Sequence, residues 1–80
     1  MSVRCRYFAL ARELSGTPLE SYDFEGTLGD FIDLLINHHG DAFERLLSHS
    51  AVWVNGEPVD RQTRLQPGDE VAILPPVSGG

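Results

Sequence analysis

The sequence predicts an α+β fold in which one main helix packs across a mixed, four- to five-stranded sheet. Residues 3–8 and 70–74 alternate between apolar and other side chains with a period of two, as strands do. Residues 28–39 instead repeat apolar side chains every three or four positions, as one helical face does. Asn55-Gly56 is a strong hairpin signal. The 80 residues leave room for one domain with one core.

The first predicted strand covers residues 3–8. Because neighbouring side chains of a strand point to opposite faces, its two arginines mark one face as the solvent side. Phe8 shares that face and is expected to be exposed or at its edge. The opposite, buried face comprises Val3, Cys5 and Tyr7.

A short helix and a second strand are predicted next. Residues 9–14 are good helix formers, and Gly16 suits the position just after a helix end. The second strand runs through residues 19–24. Glu25-Gly26 then turns the chain.

The main helix is predicted from its cap and its apolar stripe. Thr27 is the expected N-cap, and Asp30 takes the third helical position of a capping box. Gly40 ends the helix, and residues 43–47 suggest one further short helical turn. The buried stripe comprises Leu28, Phe31, Ile32, Leu35, Ile36 and His39.

The remaining segments complete the sheet. Residues 51–54 form a strand, with Val52 and Val54 inward and Trp53 outward. Residues 57–59 form a short strand after the hairpin, and Pro58 confines this strand to an edge of the sheet. The order strand, strand, helix, strand, short strand, strand is typical of a β-grasp, the ubiquitin-like roll.

The amino-acid composition excludes several classes of function for this chain. The net charge of −6 argues against nucleic-acid binding and suggests a partner with a basic docking face. All six basic residues are arginines, so the chain can donate an isopeptide bond but cannot accept one on a side chain. The single cysteine, Cys5, excludes a disulfide framework. The sequence has no signal peptide and no apolar run long enough for a membrane, so we expect the cytoplasm.

No motif predicts a catalytic site, a bound cofactor or a metal. The histidines are His38, His39 and His49, and adjacent residues of a helix are not expected to face a common ligand. The serines lack a nucleophile motif, and no glycine-rich phosphate loop is present.

An apolar docking surface is predicted near the end of the last strand. In that strand Leu74 alternates with inward Val71 and Ile73, so it faces away from the core. If the first and last strands are neighbours, Phe8, Leu74 and Trp53 form an exposed apolar patch, which is typical of a partner site.

The chain divides into a domain over residues 1–74 and a flexible tail over residues 75–80. Pro75 and Pro76 end the last strand and hold the exit extended. Val77 and Ser78 follow, and Gly79-Gly80 is a backbone thin enough to enter a slot that admits no side chain. The Gly80 carboxylate is the remaining reactive group. Adenylation by ATP would give it a good leaving group, after which a persulfide or an amine could attack.

Several segments together resemble the small subunit of molybdopterin synthase, over the whole chain. They are Tyr7-Phe8-Ala9-Leu10-Ala11-Arg12-Glu13-Leu14-Ser15-Gly16, Val54-Asn55-Gly56, Gly68-Asp69-Glu70-Val71 and Pro75-Pro76-Val77-Ser78-Gly79-Gly80. The last segment is the most specific to this family. The Gly-Asp-Glu-Val turn, by contrast, is shared more widely among ubiquitin-like sulfur carriers.

The resemblance implies a sulfur carrier in molybdenum cofactor biosynthesis. An adenylyltransferase related to ubiquitin-activating enzymes would use ATP to adenylate Gly80, and a sulfur donor protein would convert it to a thiocarboxylate. The tail would insert into the large synthase subunit, which holds the active site, and pass sulfur to cyclic pyranopterin monophosphate. Two such carriers on a large-subunit dimer would form a heterotetramer. By the same resemblance, Phe8 and Leu74 match the docking surface.

Other functions share this fold and tail. They are a sulfur carrier for thiamine or cysteine synthesis, a ubiquitin-like protein modifier, and a purely structural interaction domain. Sulfur in place of oxygen at Gly80 would indicate a carrier, and an isopeptide bond from Gly80 to a lysine would indicate a modifier.

Overall fold

This computed structural model describes residues 1–76, which form five strands and three helices. The predicted α+β class is confirmed, and the sheet of the described residues has five strands. The elements are β1 (Ser2–Tyr7), α1 (Ala9–Ser15), β2 (Leu19–Asp23), α2 (Leu28–His39), α3 (Asp41–Leu47), β3 (Ala51–Val54), β4 (Glu57–Pro58) and β5 (Glu70–Leu74).

The sheet has the strand order β2-β1-β5-β3-β4. β1 and β5 run parallel, and the other three pairings are antiparallel, so the sheet is mixed as predicted. β5 is therefore the central strand, with β1 on one side and β3 on the other. The chain leaves the sheet from its middle, after Leu74.

The main helix begins where the capping box was predicted. The Asp30 backbone N–H donates to Thr27 Oγ1 over 3.1 Å, and the Thr27 backbone N–H donates to Asp30 Oδ2 over 3.3 Å. Leu28 N–H donates to the Thr63 carbonyl over 2.9 Å, which ties the helix start to the loop before β5. These bonds satisfy backbone donors that every helix start leaves unpaired.

One apolar core lies between the sheet and the helices. The inward faces of β1 and β5 meet the stripe of α2, and Leu28, Phe31, Ile32 and Leu35 are buried there. The alternation predicted for β1, β3 and β5 is confirmed, and the buried strand residues are Val3, Cys5, Tyr7, Val54, Val71 and Ile73. α2 has 12 residues, and none of the helices described in residues 1–76 could cross a membrane.

Local turn chemistry also matches the sequence. Asn55 and Gly56 have φ of 52° and 84°, the positive values that a type I′ hairpin requires. The Asn55 side chain also binds β5, since Glu70 N–H donates to Asn55 Oδ1 over 3.0 Å. The short turn predicted over residues 43–47 is longer than expected, because α3 starts at Asp41 directly after Gly40.

Candidate partner-docking surface

The sheet face away from α2 carries three apolar side chains near the end of β5. Phe8 is 42% exposed and Trp53 is 38% exposed, while Leu74 is half-buried. We call these three residues the outer-face patch. Because β1 and β5 are neighbours, the condition on which this patch was predicted is met.

Strand register brings the patch together. Tyr7 pairs with Ile73, so Phe8 continues β1 beside Leu74. On the other side of β5, Leu74 pairs with Ala51, and Trp53 lies two residues further along the same face of β3. Diagonal neighbours of this kind are within reach of aromatic side chains. The exposed apolar surface therefore spans the three central strands.

Phe8 is held in place by the corner between β1 and α1. Its backbone is extended, with φ of −119° and ψ of 152°, and it is the N-cap of α1. Ala9 follows with φ of 50°, a left-handed conformation that costs a non-glycine residue about 1–3 kcal/mol. This strained corner lets the chain turn into α1 while Phe8 keeps the outward direction of the strand.

Charged side chains border the patch on the same face. Arg6 Nη2 lies 3.2 Å from Glu70 Oε1, and Arg4 Nη2 lies 3.9 Å from the same oxygen. All three side chains are partly exposed, so these ion pairs contribute little to stability. An apolar centre with a charged rim is the usual anatomy of a protein interface.

The terminal segment leaves the sheet beside this patch. Pro75 is half-buried and Pro76 is exposed, and neither continues the strand. Gly80, which is predicted to carry the reaction, lies outside the described residues, as do the predicted tail-insertion residues Val77, Ser78 and Gly79. The predicted insertion of the tail into a partner therefore stays a prediction, as does the division of the chain after residue 74.

Two exposed apolar side chains on α1 were not predicted. Leu10 and Leu14 are exposed on α1, where Ala11 is the buried residue. The spacing of four residues places both on one helix face. The sequence signal was present, because Leu10 and Leu14 stand four residues apart in the helix predicted over residues 9–14.

The free cysteine of the described residues, Cys5, is buried. Residues 1–76 form no pocket. Burial raises the pKa of the Cys5 thiol to about 12, so this cysteine is a core residue and not a nucleophile.

One polar cluster was not predicted and lies on the other face of the sheet. Glu20, His38 and His39 place one possible metal-ligand atom each within 4.8 Å of one another. The expectation that adjacent histidines of a helix do not face a common ligand does not hold for these two. Sequence spacing missed the group because Glu20 comes from β2, a different element.

Comparison with known proteins places these features in a family context. The family model described as "ThiS family" matches residues 5–80. The molybdopterin synthase sulfur carrier subunit of Drosophila yakuba is 33% identical over 85 aligned residues, covering 100% of this chain and 92% of that protein. Small archaeal modifier protein 1 of Haloferax volcanii is 36% identical, covering 94% of this chain and 97% of that protein.

Solved structures agree with the fold. The crystal structure of SAMP1 from Haloferax volcanii matches with a TM-score of 0.87 and 31% identity, covering 100% of both chains. A chain from the complex of subunits 1 and 2 of the molybdopterin-converting factor of Helicobacter pylori matches with a TM-score of 0.74 and 25% identity, again covering 100% of both chains.

Proposed function

This chain belongs to the ThiS family, and from its similarity to molybdopterin synthase sulfur carrier subunits we propose that it is the sulfur carrier subunit of a molybdopterin synthase. The geometric observation that carries the proposal is the position of the outer-face patch. The central strand β5 ends beside Phe8 and Leu74, so a partner that covers the patch also receives the chain that leaves it. This arrangement suits a protein whose reactive group is its own terminus.

The proposed chemistry takes place at Gly80. An adenylyltransferase related to ubiquitin-activating enzymes joins the carboxylate to AMP and releases pyrophosphate from ATP. A persulfide sulfur then displaces AMP, and cleavage of the resulting acyl disulfide by a thiol leaves the thiocarboxylate. This sulfur passes to cyclic pyranopterin monophosphate, and water restores the carboxylate. Dividing one difficult transfer into such covalent steps lowers each barrier.

The partner in the last step is proposed to be the large synthase subunit, with the reaction centre on that subunit. The Helicobacter pylori complex of two subunits supports a partner of this kind. A heterotetramer, with two carriers on a large-subunit dimer, is the proposed assembly. The adenylyltransferase and a sulfur donor protein are the further proposed partners, and the cytoplasm is the proposed location.

A protein modifier is the second candidate. The 36% identity to small archaeal modifier protein 1 favours it. Gly80 is the proposed reactive residue in either function. The chain has arginines as its only basic residues, so it would act as donor to lysines of other proteins and would not form chains on itself.

Intact-mass spectrometry distinguishes the candidates. We expect the full chain, incubated with ATP and with the activating enzyme and sulfur donor of its host, to gain one sulfur in place of one oxygen at Gly80. A chain lacking Gly80 should fold with the same melting temperature and gain no sulfur. If Gly80 is instead found in isopeptide bonds to host lysines and no sulfur is gained, the chain is a protein modifier and not a sulfur carrier. Sulfur exchange in the chain lacking Gly80 would contradict both.

A further inference from the structure

A cluster of metal-ligand side chains lies where the edge strand β2 meets the end of α2. His39 Nε2 is 3.1 Å from Glu20 Oε1, and His38 Nε2 is 3.9 Å from Glu20 Oε2. The two imidazoles therefore approach the two oxygens of one carboxylate.

The convergence follows from the packing at the helix end. The His39 side chain is 7% exposed and its ring packs against Phe43 at a centroid distance of 4.7 Å. The His38 side chain is 56% exposed, and its ring stands edge-on to Tyr22 at 6.0 Å. One histidine thus reaches Glu20 from the interior and the other from the surface.

We propose that Glu20, His38 and His39 bind a divalent first-row transition-metal ion of the zinc class. Two imidazoles and one carboxylate are a common donor set for such ions. With metal–ligand bonds of roughly 2.0–2.1 Å, tetrahedral ligand atoms lie about 3.3 Å apart. The histidine nitrogens lie 3.1 Å from Glu20 Oε1 and 3.9 Å from Glu20 Oε2, and one ligand atom from each of the three side chains lies within 4.8 Å of the others. His38 is exposed, so its side chain is free to rotate toward the other two ligands.

Two tyrosines supply the outer support that metal sites use. Tyr7 Oη donates to Glu20 Oε1 over 2.6 Å, and Tyr22 Oη donates to the same oxygen over 2.7 Å. These bonds fix the carboxylate and leave Oε2 directed toward His38. Hydrogen-bonded ligands of this kind are held in position for the metal. Solvent reaches the site from the His38 side, so water can complete the coordination.

The site is separate from the outer-face patch. Glu20 pairs with Cys5 in the sheet and so shares the helix-covered face, whereas Phe8 and Leu74 lie on the other face. A bound ion would join β2 to the end of α2 and stabilise the folded chain. The proposal does not depend on the proposed function.

Zinc titration of the full, chelator-treated chain tests the site, followed by calorimetry and by NMR of the imidazole protons. We expect one ion per chain, shifts of the His38 and His39 signals, unchanged His49 signals, and a higher melting temperature with zinc. His38→Ala removes an exposed ligand without touching the core, so it should fold normally and bind zinc at least ~10-fold more weakly.

His49→Ala is the matched control, because His49 is exposed and belongs to no part of the cluster. It should bind zinc as the unchanged chain does. Glu20→Gln is the second variant and should also lose affinity. The proposal is overturned by absence of binding to the unchanged chain, by equal affinity in His38→Ala, or by loss of binding in His49→Ala alone.

Discussion

Phe8 owes its exposure to the backbone on either side of it. β1 delivers it on the outer face, and the left-handed φ of Ala9 turns the chain away before the ring can be covered. A ring held in this way loses little freedom on binding, which favours it as an anchor. The alternation in the sequence predicted its direction, but the strained corner that holds it depends on how α1 packs.

Replacing Phe8 by Asp tests the outer-face patch. Burying a charge in the centre of the interface should cost about 2 kcal/mol, or roughly 30-fold in Kd for the large synthase subunit. The melting temperature should hardly change, because the side chain is already 42% exposed. Calorimetric titration measures the affinity. Leu14→Asp, a similar change on exposed α1, is the control and should leave Kd unchanged; equal losses in both variants would contradict a patch confined to the sheet.

The second prediction at the residue scale concerns Glu20 and the stability of the fold at acid pH. Burial raises the pKa of its carboxyl, but hydrogen bonds from Tyr7, Tyr22 and His39 outweigh burial, so the pKa lies below its ordinary value. A lowered pKa in the folded state stabilises the fold at neutral pH, and this contribution disappears as pH falls through the folded-state pKa.

We therefore expect Glu20→Gln to melt below the unchanged chain at pH 7. The difference should shrink as the pH falls below about 4. Scanning calorimetry with a chelator present measures it. Glu57→Gln, the same change at an exposed position on β4, should show no such trend. A difference in melting temperature that stays constant from pH 7 to about pH 3 would contradict the role of the ionised carboxylate.

At the scale of elements, α2 organises the fold through its capped start. Thr27→Ala removes the side-chain acceptor of the Asp30 N–H and should lower the free energy of unfolding by about 1 kcal/mol. Urea unfolding measures the loss. Thr63→Ala is the control, because Thr63 contacts α2 through its backbone carbonyl, which the substitution retains. Equal destabilisation by both changes would show that the capping box has no special role.

An element could be predicted when neighbouring residues determine it, and could not when it depends on residues far apart in the sequence. The Thr27 cap and the Asn55-Gly56 hairpin follow from neighbouring residues, so the sequence predicted both. The central position of β5 requires a parallel pairing between the first and last strands, which local patterns do not determine, so the sequence analysis used this pairing only as a condition. The meeting of His38 and His39 at Glu20 was missed, since a side chain from another strand brings them together.

At the scale of the molecule, charge is distributed unevenly between the outer-face patch and the rest of the chain. The outer-face patch is apolar and its rim is nearly balanced in charge, with Arg4 and Arg6 against Glu70. The net charge of −6 therefore resides largely elsewhere on the chain. Distant charge of this kind governs how fast a partner arrives more than how tightly it is held.

Salt should therefore slow association with the large subunit without speeding dissociation. We expect the association rate constant to fall about tenfold from low to high ionic strength, because screening removes long-range attraction to a basic partner face. Stopped-flow mixing over a sodium chloride series measures it.

The double variant Asp33→Asn and Asp41→Asn removes two exposed charges from α2 and α3. It should have a shallower salt dependence and an unchanged dissociation rate constant. If the association rate constant does not change with sodium chloride concentration, the partner's docking face is not basic. The acidic surface of this chain would then not steer the association.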